Sequence, residues 1–351
     1  MRHDLRPAAL LGRAVIGAGL VACCLPPPAA AAAGKTTVKL ATLVPDGSVW
    51  HTILEDMGSE WSAATEGRVA LNIYPGGVAG DEPDTVRKMR IGQLHAATLT
   101  VAGLSEIDPA FRVFQVPMFF DSYPELFHVL DAMRPMLAAR LEERGFVLLN
   151  WGHAGWVHLF STRPVRTLDE LKGLKLFVWA GDERMVQWWK SQGYRPQALA
   201  ATDILTGFQT GMIEALPTTP LAALSLQWFR STPYMMDVGF APLVGATIVV
   251  EKQWQRISEA DRAKLVAAAL RTEERLEREV PAQDRRAIDE MKKRGLEVVV
   301  AATGAEELRR TAEALGKTTR GDVVEQSIFD LARRERDAFR AAQGGEQKAA
   351  P

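Results

Sequence analysis

Apolar positions in this chain switch between short runs and helical spacing at regular intervals. Val38 to Val44 is an apolar run that reads as a strand, and Pro45-Asp46-Gly47-Ser48 follows as a turn and helix cap. Trp50, Ile53, Leu54, Met57 and Trp61 then recur at helical spacing, and Gly67 supplies a left-handed stop. Val69 to Tyr74 is a second strand, ended by Pro75-Gly76-Gly77. Asp81 and Pro83 open another helix, with Val86 and Met89 on its inner face and Gly92 at its end, before a strand from Ala96 to Val101. Strand, helix, strand, helix, strand in this order predicts a parallel sheet with crossover helices, an α/β architecture. Further on, Ser258-Glu259-Ala260-Asp261 reads as an N-cap with an acid at the third helical position. A charged, alanine-rich helix is predicted from there to about Gly295, kinked or interrupted at Pro281. Glu297 to Ala301 reads as a strand, with two amphipathic helices beyond.

The first 33 residues stand apart. Arg2, Arg6 and Arg13 precede an apolar run from Ala14 to Leu25 that ends in prolines and alanines, the pattern of a secretory signal. The run is roughly half of the ~20 residues a membrane-spanning helix needs. The mature protein is therefore expected to be soluble outside the cytoplasm, in the periplasm. Two exits compete: Ala29 to Ala33 offer an Ala-x-Ala cleavage site, while Leu20-Val21-Ala22-Cys23 resembles a bacterial lipobox that would leave Cys23 lipidated. The only cysteines, Cys23 and Cys24, lie in this segment, so the rest of the chain has no disulfide and no thiolate metal site.

What remains exceeds the usual size of one core and favours two lobes. Removing the leader moves the formal charge from −1 to about −3, since three arginines and Asp4 leave with it. Basic and acidic residues are interspersed, which argues against a nucleic-acid surface. Catalytic patterns are equally thin. His153 and His158, five apart on an extended segment, fall on opposite faces, and neither HExxH, a Cys-rich metal pattern nor a GxSxG elbow occurs. Gly76-Gly77-Val78-Ala79-Gly80 lacks the Lys-Ser/Thr ending of a phosphate loop and reads as a turn. No enzyme activity and no cofactor is implied.

An ordered set of motifs resembles the solute receptors of TRAP transporters, the DctP-type extracytoplasmic binding proteins. Thr65 to Thr100 follows the family order of T-x-GR, a strand, YP, a Gly-rich turn, GDE, a helix ending in R-x-G, and a strand. Val116-Pro117-Met118-Phe119-Phe120 resembles LPFLF, the segment through Ser161 to Val178 matches a strand ending in GLKIRV, and Thr202 to Thr219 matches the helix and loop usually written EVYxALQxGxVDGQENP. The resemblance covers roughly Val38 to Val300. It implies a two-lobed clamshell periplasmic binding protein fold, with hinge strands and a long helix spanning both lobes. Phe146 to Ser161 and Met236 to Val250 are the candidates for strands passing between lobes. The implied division is a leader and linker at 1–33, lobe I at 34–152 with part of 245–280 returning to it, lobe II at 153–244 with about 281–340 packed against it, and a polar tail at 341–351.

The resemblance also implies function: a small ligand taken into the cleft and delivered to TRAP-type membrane permease subunits, with no other membrane contact except a possible N-terminal lipid. Receptors of this family usually clamp a carboxylate with an arginine after the GLKI turn and often with a second in a GFR pattern. This chain has Phe177 and Val157 there. An ionised carboxylate buried without a cationic partner costs several kcal/mol, so the expected ligand is neutral or largely apolar. Trp156 and Trp179 flank the substituted positions, Ala201 falls where some members carry an aromatic, and Thr218 and Thr219 replace the amide of QENP. Trp156, Val157, Phe177, Trp179, Ala201, Thr218 and Thr219 are the expected ligand contacts. Two alternatives stay open: an arginine relocated to Arg163, Arg166 or Arg184 would restore an organic acid, and a lipid carrier or assembly protein would keep the clamshell without transport.

Overall fold

The computed structural model describes residues 35–302 and 305–349; Cys23 and the leader lie outside them. Ten strands form one continuous sheet system: β1 (Thr36–Thr42), β2 (Val69–Tyr74), β3 (Ala96–Thr100), β4 (Phe146–Ser161), β5 (Lys175–Trp179), β6 (Arg195–Leu199), β7 (Ala215–Thr218), β8 (Tyr234–Met236), β9 (Ala241–Val250) and β10 (Glu297–Val299). The order is β2-β1-β3-β9-β4-β7-β5-β6, with β8 bridging β4 and β10. β1 pairs in parallel with β2 and β3, as the crossover pattern predicts. The third strand ends at Thr100 rather than at Val101, because the Thr100 side chain caps a short helix that begins at Val101.

β4 belongs to both halves. Its first part, Phe146 to His153, runs antiparallel to β9, which lies against β3 of the first sheet. Its last residues, His158 to Ser161, pair with β7 of the second sheet. Sixteen residues extend roughly 50 Å at strand rise. The helix Glu259–Lys293 has 35 residues, again roughly 50 Å long, and packs along β4. Two of its buried carboxylates grip that strand. Glu273 Oε2 accepts from the Trp151 amide at 2.7 Å, and Asp284 Oδ2 accepts from the Trp156 amide at 3.0 Å.

These ties explain why the expected break at Pro281 does not occur. Proline removes one helical hydrogen bond, but Glu273 before it and Asp284 after it are each fastened to the same strand, and Val280 and Ala287 are buried. The helix therefore continues through Pro281. Ser258 caps it as expected, accepting from the Asp261 amide at 3.2 Å.

Two expectations are corrected. Met236 to Val250 is not one strand: it is split at Asp237–Phe240, where a Cβ on Gly239 would fall 2.1 Å from the Trp156 ring. The chain after 281 also divides. Leu308 and Ala312, on the helix Ala305–Lys317, join the core of the second sheet with Leu159, Leu176 and Ala215. Ile328, Phe329 and Ala332 instead join Leu126, Val129 and Met133 of the helix Tyr123–Glu142, whose core includes Leu99 and Ile248 of the first sheet. The apolar stripe of Gln326–Ala349 settles this, and that helix runs on through the stretch expected to be a polar tail from 341.

Candidate ligand-binding cleft

A cavity of about 420 Å³ lies between the two sheets. Its floor comes from the first. Thr98 of β3, Thr247 of β9 and Asn150 of β4 stand side by side in register, and all three line the cavity. The two threonine hydroxyls share one hydrogen bond of 3.0 Å, which leaves one hydroxyl proton unused. Asn150 is 1% exposed; its amide nitrogen donates to the Trp151 carbonyl at 2.8 Å, while its Oδ1 has no partner. Three residues on, His153 turns its ring to the other face of the sheet, 5.2 Å from the Tyr123 ring and 5.3 Å from that of Phe127; it is 5% exposed and neither ring nitrogen makes a hydrogen bond. Burial pushes the imidazole down to about 4, offset in part by the neighbouring Leu276 carbonyl, so it is neutral at physiological pH. Trp50 also lines the cavity with its indole N–H buried and unpaired.

The opposite wall is apolar. Phe177 and Trp179 sit two apart on β5 and so share a face, their rings edge to face at 5.5 Å. Phe177 packs into a cluster with Ile204, Phe208, Ile213 and Leu216, and Leu226 and Trp228 extend the wall. Among the described lining residues, Glu82 and His153 are the titratable ones and no lysine or arginine occurs. Glu82 accepts three hydrogen bonds of 2.7 Å, from the Thr100 amide, the Thr100 hydroxyl and the Gly103 amide. Burial nevertheless pushes its carboxyl up to about 7.

The two halves meet around the cavity mouth. Asp81 Oδ2 accepts from the Ala201 amide at 3.1 Å, and burial raises the Asp81 carboxyl above its usual range. Gly77 lies so close to Thr202 that a Cβ there would stand 2.9 Å from the threonine methyl. Arg112 pairs with Asp182 at 3.1 Å, both side chains buried. The cleft is closed.

Four of the seven expected contacts line the cavity: Phe177, Trp179, Ala201 and Thr218. Three do not. A bulge between His153 and Trp156, built on Gly155 at φ +108°, puts Trp156 on the face of His153, where its ring meets Tyr123 edge to face at 5.3 Å. A one-residue slip exchanges the faces of every later side chain. Val157 pairs with Ala241 and its carbonyl accepts from the Phe240 amide at 2.8 Å. Thr219 is fully buried as the N-cap of Pro220–Ser225, accepting from the Ala222 amide at 3.2 Å. Arg163, Arg166 and Arg184 are not among the lining residues; Arg184 donates to the Asp322 carbonyl at 3.4 Å. Sequence reasoning missed Trp50, Asn150, His153, Thr98, Thr247 and Glu82. Asn150 and His153 carried a signal, as polar residues inside a long apolar strand.

A closed cleft between two α/β halves, crossed by shared strands and spanned by one helix, defines a clamshell solute receptor. The chain belongs to the DctP family, described as bacterial extracellular solute-binding protein, family 7, which matches residues 40–320. A solute-binding protein of Chromohalobacter salexigens is 28% identical over 218 residues, 62% of this chain and 65% of its own length, just under two thirds. Two solved TRAP periplasmic solute-binding proteins share the fold. One from Xanthobacter autotrophicus Py2 with bound β-D-galacturonate is 18% identical, covers 86% of this chain and 99% of its own, and gives a TM-score of 0.79. One from Haemophilus influenzae RdAW with bound L-gulonate is 21% identical, covers 87% and 100%, and also gives 0.79. The resemblance read from the motifs is thus borne out. The family is one of solute-binding proteins rather than enzymes. Among the described residues no helix is long and apolar enough to cross a membrane.

Proposed function

We propose that this receptor captures an uncharged, largely apolar small solute in its cleft and delivers it to the membrane subunits of a TRAP-type transporter. One observation carries the reading: the clamp position that lines the cavity is apolar, Phe177, and no lysine or arginine among the described residues lines the cavity in its place. The galacturonate and gulonate of the two solved neighbours are acids; an acid here would meet Glu82 and a wall of Phe177 and Trp179. Desolvating a carboxylate against such a lining costs several kcal/mol. A volume of about 420 Å³ falls in the range of small-molecule sites.

Solute would act by stabilising the closed arrangement of the two lobes, residues 34–152 and 153–244 with their returning segments. Only its preference for that state drives closure. The test is mass spectrometry of what co-purifies with the mature protein, extracted separately into organic and aqueous phases. A stoichiometric neutral molecule is expected. A carboxylic acid at one equivalent would overturn the neutral reading while leaving the receptor intact.

A further inference from the structure

We propose that the solute is two-faced, with a polar edge of paired hydrogen-bond donor and acceptor laid on the strip Thr98–Thr247–Asn150 and an apolar body held against Phe177 and Trp179. The inference rests on the neutral-solute reading and goes beyond it, because an apolar cavity alone would select only by size. The floor is not apolar. Asn150 Oδ1 is a buried acceptor with no partner, the threonine pair has one unused hydroxyl proton, and the indole N–H of Trp50 is a buried donor with no partner.

Burying so many unsatisfied groups is costly unless something answers them. Their partner must supply at least one donor, for Asn150, and at least one acceptor, for Trp50. A hydroxyl or an uncharged amide does both; a carboxylate offers no donor and a hydrocarbon offers neither. The strip belongs to three neighbouring strands of one sheet, so its spacing is fixed before the solute arrives. The aromatic wall belongs to the other half and meets the solute on closure.

The probes are benzamide, benzyl alcohol, toluene and benzoate, similar in size and differing in their polar edge, titrated by calorimetry into the mature protein after its co-purified solute has been removed. Benzamide and benzyl alcohol are expected to bind most tightly, toluene less and benzoate least. Thr247→Val and Asn150→Leu should each weaken benzamide about tenfold, the equivalent of one hydrogen bond, and leave toluene within about twofold. Thr247→Val keeps the shape of the side chain, and circular dichroism checks that both variants fold. Toluene binding as tightly as benzamide, variants that preserve the preference, or failure of both benzamide and benzyl alcohol to bind overturns the two-faced solute. Benzoate binding most tightly overturns instead the neutral reading beneath it.

Discussion

Adding one methyl group at Gly155 tests how the crossing strand is held. Gly155 sits in the bulge of β4 at φ +108°, and a Cβ there would lie 2.6 Å from Cγ and Oδ1 of Asp284 and 2.7 Å from Oδ2. Gly155→Ala therefore has two costs. The backbone conformation costs an L-residue about 1–3 kcal/mol. The carboxylate must also leave the Trp156 and Leu221 amides, both now at 3.0 Å, and each such bond contributes about 1.5–3 kcal/mol. The lower ends of these ranges already sum to about 4 kcal/mol. Urea unfolding of Gly155→Ala, Asp284→Ala and the double variant separates the parts. With Asp284 gone, Gly155→Ala should cost only the backbone share, about 1–3 kcal/mol, so the two substitutions should be strongly non-additive. A single variant within about 1 kcal/mol of wild type, or an equal cost in both backgrounds, would refute the claim that Asp284 shapes the bulge.

Phe177→Arg should place an unpaired guanidinium among Ile204, Phe208, Ile213 and Leu216, lowering stability by a few kcal/mol and abolishing retention of the co-purifying solute; full retention would remove Phe177 from the site. Arg112→Ala should leave Asp182 buried without its partner and weaken closure by about 3–5 kcal/mol, seen as a larger radius of gyration in X-ray scattering and weaker solute binding. An unchanged scattering profile would show that the pair does not hold the cleft shut. His153 titrates at about 4 folded against 6.5 when free, so its contribution is complete above pH 6.5 and is lost as pH falls towards 4, by roughly 3 kcal/mol. Asp284, raised to about 6 by burial, works in the opposite sense, so the measurement is wild type against His153→Phe; equal acid sensitivity in the two would contradict the buried neutral imidazole.

The helices and strands of the first half were legible because each buries one stripe against one neighbour, and Trp50, Ile53, Leu54, Met57 and Trp61 announce such a stripe. That Phe177 and Trp179 share a face was legible for a related reason, since a short regular strand sets it. The contacts at Trp156 and Val157 were not, because the bulge before them depends on Asp284, 128 residues away from Trp156 in sequence. Local pattern cannot report that tie. The polar floor was hidden differently: Thr98, Thr247 and Asn150 are unremarkable singly and acquire meaning only through the register of β3, β9 and β4. Pro281 misled because its usual penalty is real but is outweighed by tertiary fastening on both sides.

Asp284 also joins three segments with one side chain: its own helix, β4 through Trp156, and the start of Pro220–Ser225 through Leu221. Ala222, next after that last amide, and Leu226 beyond it line the cavity. A bend of β4 at its bulge is thereby geared to the apolar wall. An opening that bends β4 at this bulge should therefore shift the wall with it, so that loss of enclosure and loss of grip are expected as one movement.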